Sequence, residues 1–320
     1  MKIVFVADIH IKLGQKNVPK EWQKDRVRKL AHELVLLKGG ALIIGGDLLD
    51  VANPSLEEVS LMLEFLDICA GHYEHIYLIP GNHEMVNKKS DCFMPMREQL
   101  EKHYNCLLIT ELKTIKFTDT FHIDFIPYNI IHTFKAEDRR SDYAVTHVRG
   151  EIPPHVKPEI ALSVFSGYKE VYAGDLHSYQ NSQQNIKYPG SPYYTSFHRS
   201  HSADSNGVII IDATVHSSRW VGLRLPQLIR KTVSSPEEIV ATEYDHTIYE
   251  IEGDLHEMSK INKTDLLDKK IVKDTFTPAK LNMQDTSIEE ELVMYLTDVK
   301  KLEGKVEQLL SRYKEVENEN

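Results

Sequence analysis

Residues 1–10 have the sequence Met-Lys-Ile-Val-Phe-Val-Ala-Asp-Ile-His, and residues 41–50 have the sequence Ala-Leu-Ile-Ile-Gly-Gly-Asp-Leu-Leu-Asp. Each stretch contains an uninterrupted apolar run of strand length that ends in acidic residues or histidine. Such a run is typical of a strand buried on both faces of a parallel sheet. The apolar run of residues 3–7 is also too short for a secretory signal or a membrane-spanning helix. These stretches therefore predict an α/β fold with polar side chains at the ends of its strands.

The sequence around these stretches alternates strand-like and helix-like segments. Helical spacing of apolar residues covers residues 24–38 and 59–70, and a third buried strand is expected at residues 76–79. This βαβαβ order indicates parallel strands with helices on the faces of the sheet. Further strands are expected at residues 121–126, 143–148, 170–173 and 207–212. That number of strands is large enough for two sheets packed together.

Composition limits the class of protein and its partners. The chain has 320 residues, of which 41% are hydrophobic and 27% charged, as expected for a globular protein of about two domains. Its three cysteines cannot form a disulfide framework, which favours a reducing compartment such as the cytoplasm. The net charge of −10 has the wrong sign for general binding to nucleic acid. Any nucleic-acid partner must therefore be held by a local feature.

Five short polar motifs follow the predicted strands. Ligand sites of α/β sheets lie at the carboxyl ends of the strands, because the loops that leave those ends converge on one crevice. Residues two apart on an extended segment point the same way, so the first and third residues of a motif can bind one ion together. The motifs are Asp8-Ile-His10, Gly46-Asp47-Leu-Leu-Asp50, Gly81-Asn82-His83-Glu84, Thr146-His147 and Gly174-Asp175-Leu-His177.

The polar residues of these motifs point to a metal centre. Burying so many charged groups without a metal would be costly. A mixture of oxygen and imidazole ligands without thiolate suits Mn²⁺, Fe or Zn²⁺ at a catalytic site. Their number suits two ions that share a bridging carboxylate, an arrangement used to hydrolyse phosphate esters. The candidate ligands are Asp8, His10, Asp47, Asn82, His147, Asp175 and His177.

The order of these motifs resembles that of the calcineurin-like metallophosphoesterases over residues 1–212. Within that superfamily the segment from Tyr188 to Phe197 is similar to the SbcD and Mre-eleven double-strand-break repair nucleases, including phage members. The resemblance implies an α/β fold with a two-sheet β-sandwich core flanked by helices, a small α/β capping domain and a C-terminal helical tail. The expected boundaries are 1–213, 214–258 and 259–320, with segments 220–225 and 247–251 as strands of the capping unit.

The resemblance also implies how the ligands are shared. Asp8, His10 and His177 would hold the first ion, and Asp47 would bridge. The second ion would be held by Asn82, His147 and Asp175. The family usually has histidine where Asp175 stands, and a carboxylate there adds negative charge that favours Mn²⁺ or Mg²⁺.

Two further residues are expected to assist catalysis. By the same resemblance His83 is not a ligand but faces the leaving oxygen, where it donates a proton or stabilises the developing charge. Alternatively, His83 only orients Asp50 or Asp8 by a hydrogen bond. Asp50 is expected to hold His83, or a ligand histidine, in its tautomer.

Three functions are compatible with these features. The resemblance implies a nuclease that cuts duplex ends 3′ to 5′ and single strands endonucleolytically, in DNA repair, recombination and replication. It also implies a homodimer that binds double- and single-stranded DNA and an SMC-like ATPase of the SbcC or Rad-fifty type, with no membrane. The alternatives are a dimeric scaffold for the ATPase with little catalysis, and a small-molecule phosphodiesterase. A protein phosphatase is disfavoured, because Val51 and Ala52 stand where that group has Arg-Gly.

The C-terminal segment has a regular apolar pattern from residue 288 to residue 313. Its apolar residues recur about every 3.5 residues, which predicts an amphipathic helix. That helix either docks on the helices of the ATPase or packs on its own protein. The candidate partner-binding residues are Leu292, Tyr295, Val299, Leu302, Val306 and Leu309.

Overall fold

A computed structural model provides the structure of the protein. It describes residues 1–199, 206–253, 258, 261–262, 264–272, 288–299 and 305–318. Within those residues, every helix is too short or too polar to cross a lipid bilayer.

The first sheet has six strands and is mostly parallel. Its strands are β1 (Lys2–Val6), β2 (Ala41–Gly45), β3 (His75–Ile79), β6 (Cys106–Leu108), β12 (Gly207–Asp212) and β13 (Ser217–Gly222). Their order is β13-β12-β1-β2-β3-β6, in which β1, β2, β3 and β6 are parallel. Strand β12 pairs antiparallel with β1, and β13 pairs antiparallel with β12.

The second sheet has five strands, which are β7 (Lys113–Lys116), β8 (His122–Ile126), β9 (Tyr143–His147), β10 (Glu170–Gly174) and β11 (Ile186–Lys187). Their order is β11-β10-β9-β8-β7. Strands β8 to β11 are parallel, and β7 is antiparallel to β8. A small hairpin is formed by β4 (Met85–Asn87) and β5 (Ser90–Asp91).

Alternation along the strands explains why the two sheets pack face to face. Successive side chains of a strand point to opposite faces. In β1, Ile3 and Phe5 belong to a core shared with Phe125 and Tyr172 of the second sheet, whereas Val4 belongs to the core on the other face. Both faces of β1 are therefore apolar, as its uninterrupted apolar run predicts.

Two long helices cover the outer face of the first sheet. They are α1 (Lys20–Leu36) and α2 (Leu56–Ala70), and both supply buried residues to the core with that face. The start of α2 is fixed by a capping box, in which Ser55 and Glu58 satisfy each other's backbone N–H groups. A shorter helix, α3 (Arg97–Tyr104), precedes β6. The predicted α/β class with two packed sheets and flanking helices is confirmed.

The strand that contains Trp220 lies elsewhere than expected. The sequence predicts it in the small capping unit, but Ser217–Gly222 pairs antiparallel with β12 in the first sheet, with Trp220 opposite Ile209. The physical reason is the short turn at residues 213–216, which returns the chain directly beside the buried strand β12. Trp220 also stacks on Tyr179 at 4.8 Å and donates a hydrogen bond from Nε1 to the carbonyl oxygen of Pro189.

Within the described residues, three further strands are β14 (Leu228–Val233), β15 (His246–Gly253) and β16 (Leu267–Val272), and β15 contains the predicted strand 247–251. They form a third sheet in the order β14-β15-β16. The chain divides into two compact units, residues 1–251 with 263–269, and residues 252–262 with 270–320. The division into nuclease, capping and tail domains stays a prediction.

The second unit contains the C-terminal helices. Helix α4 covers Ile288–Met294, a π-helical stretch covers Tyr295–Val299, and α5 covers Val306–Asn318. Among the predicted partner-binding residues, Leu292 is half-buried, Tyr295 and Leu309 are exposed, and Val306 is buried. Val299 ends the π-helical stretch, and Leu302 lies outside the described residues.

Candidate metal centre

The five polar motifs meet at one edge of the sandwich. Asp8, Asp47 and Asn82 follow β1, β2 and β3 of the first sheet, whereas His147 ends β9 and Asp175 follows β10 of the second. The backbone turns sharply there, because Asp8, Asp47 and Asp175 have φ angles of 56°, 53° and 100°. Such left-handed residues are uncommon outside glycine and cluster at functional sites. The structure brings all nine predicted metal-binding and catalytic residues together.

The first cluster contains Asp8, His10 and His177, whose candidate ligand atoms lie within 4.8 Å of one another. Nε2 of His10 and Nε2 of His177 are only 3.1 Å apart. Burial, together with the nearby His10, lowers the pKa of His177 to about 3, so its imidazole is neutral. For His10, burial lowers the pKa, but Asp50, Asp47 and Asp8 raise it above its ordinary value. Two imidazole nitrogens that face each other beside a carboxylate are a donor set that fits a divalent cation.

The second cluster surrounds His147, which is fully buried. Its Nδ1 lies 2.9 Å from the carbonyl oxygen of Gly45. Because a carbonyl oxygen can only accept, Nδ1 carries the proton and Nε2 is the atom available to a ligand. Nε2 lies 2.9 Å from Oδ1 of Asn82 and 3.9 Å from Oδ1 of Asp175. This nitrogen thus faces a set of oxygen atoms, which fits a second cation.

Asp47 lies between the two clusters. Its Oδ2 is 3.6 Å from Nε2 of His10 and 3.5 Å from Nε2 of His147. Burial raises the pKa of Asp47, but the charge and hydrogen bond of His147 outweigh it and hold the pKa well below its usual range. The carboxylate is therefore ionised and within reach of the candidate ligands of both clusters, as a bridging ligand must be.

The two predicted catalytic residues are linked through the backbone. Nδ1 of His83 lies 2.6 Å from the main-chain carbonyl oxygen of Asp50, so it carries a proton and leaves Nε2 to exchange protons. Nε2 of His83 is 4.0 Å from Oδ2 of Asp47, and the ring is 42% exposed. The side chain of Asp50 has a different partner, because its Oδ1 lies 3.2 Å from Nδ1 of His10 and 3.2 Å from Nζ of Lys12. Asp50 thus contacts His10, a candidate ligand, with its side chain and His83 with its backbone.

Gly46 allows the second cluster to form. Its φ is 93°, and a Cβ atom there would lie 2.4 Å from Nδ1 of His147 and 2.9 Å from Cα of Gly81. Only glycine leaves room for the imidazole to reach the carbonyl oxygen of Gly45.

Two residues near the centre are functional candidates that the sequence did not single out. Both oxygens of the buried Glu84 accept backbone hydrogen bonds, from Asp47 and Gly81 at Oε2 and from Leu49 at Oε1. Glu84 therefore ties the loops after β2 and β3 together. In the sequence, Glu84 is marked only as the last residue of the motif Gly81-Asn82-His83-Glu84, without a role of its own. Arg149, two residues beyond His147, pairs with Asp175, and a lone arginine in a loop carries no sequence signal.

Comparisons with known proteins agree with this geometry. Residues 1–196 match the calcineurin-like phosphoesterase family model. A protein named probable exonuclease subunit 1, from Escherichia phage T5, is 42% identical over 325 residues, which cover 98% of this chain and 97% of that protein. A putative phosphoesterase of Invertebrate iridescent virus 6 is 23% identical over 255 residues, which cover 74% of this chain and 83% of that protein. This chain belongs to the calcineurin-like phosphoesterases, a family of metal-dependent enzymes.

Proposed function

We propose that this chain is a metal-dependent DNA phosphodiesterase that hydrolyses its substrate with two divalent cations, Mn²⁺ or Mg²⁺. The observation that carries the proposal is the position of Asp47, whose Oδ2 lies within 3.6 Å of the Nε2 atoms of both His10 and His147. Asp8, His10 and His177 would hold one cation, and Asn82, His147 and Asp175 the other. Resemblance to a protein named as an exonuclease subunit supports DNA as the substrate.

The residues of this chain have distinct tasks in that reaction. When bound, the cations lower the pKa of water and neutralise charge on the non-bridging oxygens. Nδ1–H of His83 is bonded to the carbonyl oxygen of Asp50, so in the imidazolium form of His83 the second N–H, at Nε2, would give its proton to the leaving oxygen and leave the ring neutral. Asp50 fixes the ring of His10 through Nδ1. Glu84 maintains the distance between the two loops that carry Asp47 and Asn82.

We further propose that the chain works as one subunit of a DNA end-processing complex in the cytoplasm, the host cytoplasm if it is phage-encoded. In that complex the chain forms a homodimer, cuts duplex ends 3′ to 5′ and single strands endonucleolytically, and binds an SMC-like ATPase of the SbcC or Rad-fifty type. Residues 214–258 would cap the DNA, and the tail of residues 259–320 would dock on the ATPase. The word "subunit" in the name of the phage T5 protein supports a multi-subunit assembly.

The proposal is tested with the full chain on end-labelled linear duplex DNA in the presence of Mn²⁺. We compare the unaltered chain, His83→Ala and His72→Ala. His72 is a matched control, because its Nδ1 also contacts a backbone carbonyl oxygen, that of Ile68, at the end of α2. We expect metal-dependent shortening of the labelled strand, a loss of about 10²–10⁴-fold in His83→Ala, and no loss in His72→Ala.

A chromogenic phosphodiester with a good leaving group separates the possible outcomes. Such a leaving group needs little protonation, so His83→Ala should lose far less activity on it than on DNA. An equal loss on both substrates would contradict the role of His83 as proton donor. Cleavage of the small ester alone, even with the ATPase present, would favour the small-molecule phosphodiesterase. Cleavage of neither substrate would favour the scaffold.

A further inference from the structure

Arg149 lies at the rim of the candidate metal centre. It follows β9 by two residues, and its guanidinium pairs with the carboxylate of Asp175 in the loop after β10. Nε of Arg149 lies 3.1 Å from Oδ2, and Nη2 lies 3.4 Å from Oδ1. The side chain of Asp175 is 6% exposed, whereas that of Arg149 is 45% exposed. The pair thus has an inner carboxylate and an outer cation.

The pair places a positive charge where the surroundings are negative. Asp8, Asp47 and Asp175 face the centre, and Glu159 is bonded to the backbone N–H of Arg149. Carboxylates repel the phosphates of a polynucleotide, in a chain whose net charge is already −10. The carboxylate of Asp175 lies between the guanidinium of Arg149 and the imidazole of His147. Its Oδ1 is 3.9 Å from Nε2 of His147.

The bonding of Arg149 leaves it able to bind a ligand. A guanidinium has about five N–H donors in a fixed plane, of which the two bonds to Asp175 use one edge. The exposed edge can form paired hydrogen bonds with phosphate oxygens, which is the geometry that arginine favours. Asp175 holds the side chain, so little conformational entropy is lost when a phosphate binds.

We propose that Arg149 binds the phosphate next to the scissile one in the strand being cleaved, with Asp175 as its positioning partner. This inference rests on the proposed function. A polynucleotide has a phosphate on either side of the scissile bond, whereas a small diester has none. Arg149 therefore gives the site a preference for nucleic-acid strands over small phosphodiesters.

Binding of a fluorescent single-stranded oligonucleotide tests the proposal without cleavage. Anisotropy is measured in EDTA over a salt series for the unaltered chain, Arg149→Ala, Arg149→Lys and the double variant Arg149→Ala/Asp175→Asn. We expect Arg149→Ala to bind about ten- to a hundredfold more weakly, with a salt slope shallower by about 0.7. Arg149→Lys should keep the slope and recover part of the affinity, because a lysine keeps the charge but not the paired donors.

The double variant distinguishes a phosphate contact from simple neutralisation of Asp175. It removes both charges, so the local net charge is unchanged. If Arg149 contacts phosphate, the double variant stays weak. If it regains the affinity and slope of the unaltered chain, Arg149 only balances Asp175 and the inference is wrong.

Arg28→Ala is the matched control. Arg28 pairs with Glu64 through Nε at 2.7 Å and Nη2 at 3.1 Å, in the middle of α1 and α2 rather than at the strand ends. We expect Arg28→Ala to bind the oligonucleotide as tightly as the unaltered chain does. If the unaltered chain neither binds nor cleaves the oligonucleotide, the proposed function fails and this inference with it. If the unaltered chain binds and cleaves the oligonucleotide, and Arg149→Ala has the same affinity and salt slope, only this inference is overturned.

Discussion

Replacing Gly46 by alanine should disrupt the second cluster of the proposed metal centre, the one around His147, while the fold is retained. The added Cβ would lie 2.4 Å from Nδ1 of His147, whereas ordinary contact begins at 3.4 Å. Cα of Gly81 lies 2.9 Å from the same Cβ, so the backbone cannot retreat in that direction. The imidazole must therefore move by about 1 Å, which breaks its hydrogen bond to Gly45 and costs activity on the order of 10²-fold.

The cost in stability should be modest by comparison. An alanine with a φ of 93° is strained by about 1–3 kcal/mol, which a protein of this size tolerates. Gly71→Ala is the matched control, because Gly71 caps α2 with a φ of −65° and the nearest atoms to its Cβ are 3.7 Å away. Alanine there should leave activity unchanged and raise stability by about 0.4–1 kcal/mol.

Calorimetric titration with Mn²⁺ measures the number of bound ions. Hydrolysis of a chromogenic phosphodiester measures activity, and thermal unfolding measures stability. We expect Gly46→Ala to bind one Mn²⁺ tightly instead of two, with activity reduced about a hundredfold. Two tightly bound ions together with the activity of the unaltered chain would refute the reasoning. The packing of Gly46 against His147 would then have no bearing on the second ion.

Two further predictions concern charge. Burial raises the pKa of Asp8 to about 7 and that of Glu84 to about 8, so the folded metal-free chain binds these protons more tightly than the unfolded chain. Its free energy of unfolding should therefore fall as pH rises from about 4.5, where the unfolded carboxyls ionise, to about 8, where the folded ones have also ionised, and Glu84→Gln should flatten that fall in urea titrations in EDTA. A free energy that rises over this range would contradict the assignment. Asp50→Asn should weaken Mn²⁺ binding about 10–100-fold by releasing His10, while kcat at saturating metal stays within a few-fold of the unaltered value. A large fall in kcat with unchanged metal affinity would instead place Asp50 in the chemical step.

Local sequence determined the arrangement of the core and where its polar residues would meet. An apolar run such as residues 3–6 needs cover on both faces, and that requirement is satisfied by helices on one side and a second sheet on the other. Where such a run ends, the loop that leaves the carboxyl end of the strand lines the ligand crevice. Strands, helices and polar loops in this order therefore indicated both the α/β class and the edge that carries Asp8, Asp47 and His147.

Short, weakly patterned elements could not be predicted in this way. Strands β6 and β7 are only a few residues long, and β7 is half-exposed, so neither has a periodic signal. The strand containing Trp220 has a clear β pattern, but the pattern does not say which sheet it joins. Its place beside β12 depends on the turn at residues 213–216 and on the free edge of the first sheet.

The sequence by itself supplied the candidate ligands, and only the tertiary structure decided which group each of them touches. Arg149 forms an ion pair with Asp175, Asp50 contacts His10, and Glu84 accepts a hydrogen bond from the backbone of Leu49. In each case the two partners lie on loops that follow different strands. The spacing of apolar residues along a helix or strand indicates which of its faces is buried, and that spacing can be read from the sequence. A hydrogen bond or an ion pair depends on distances of a few ångströms between elements, and those are fixed only when the sheets have packed.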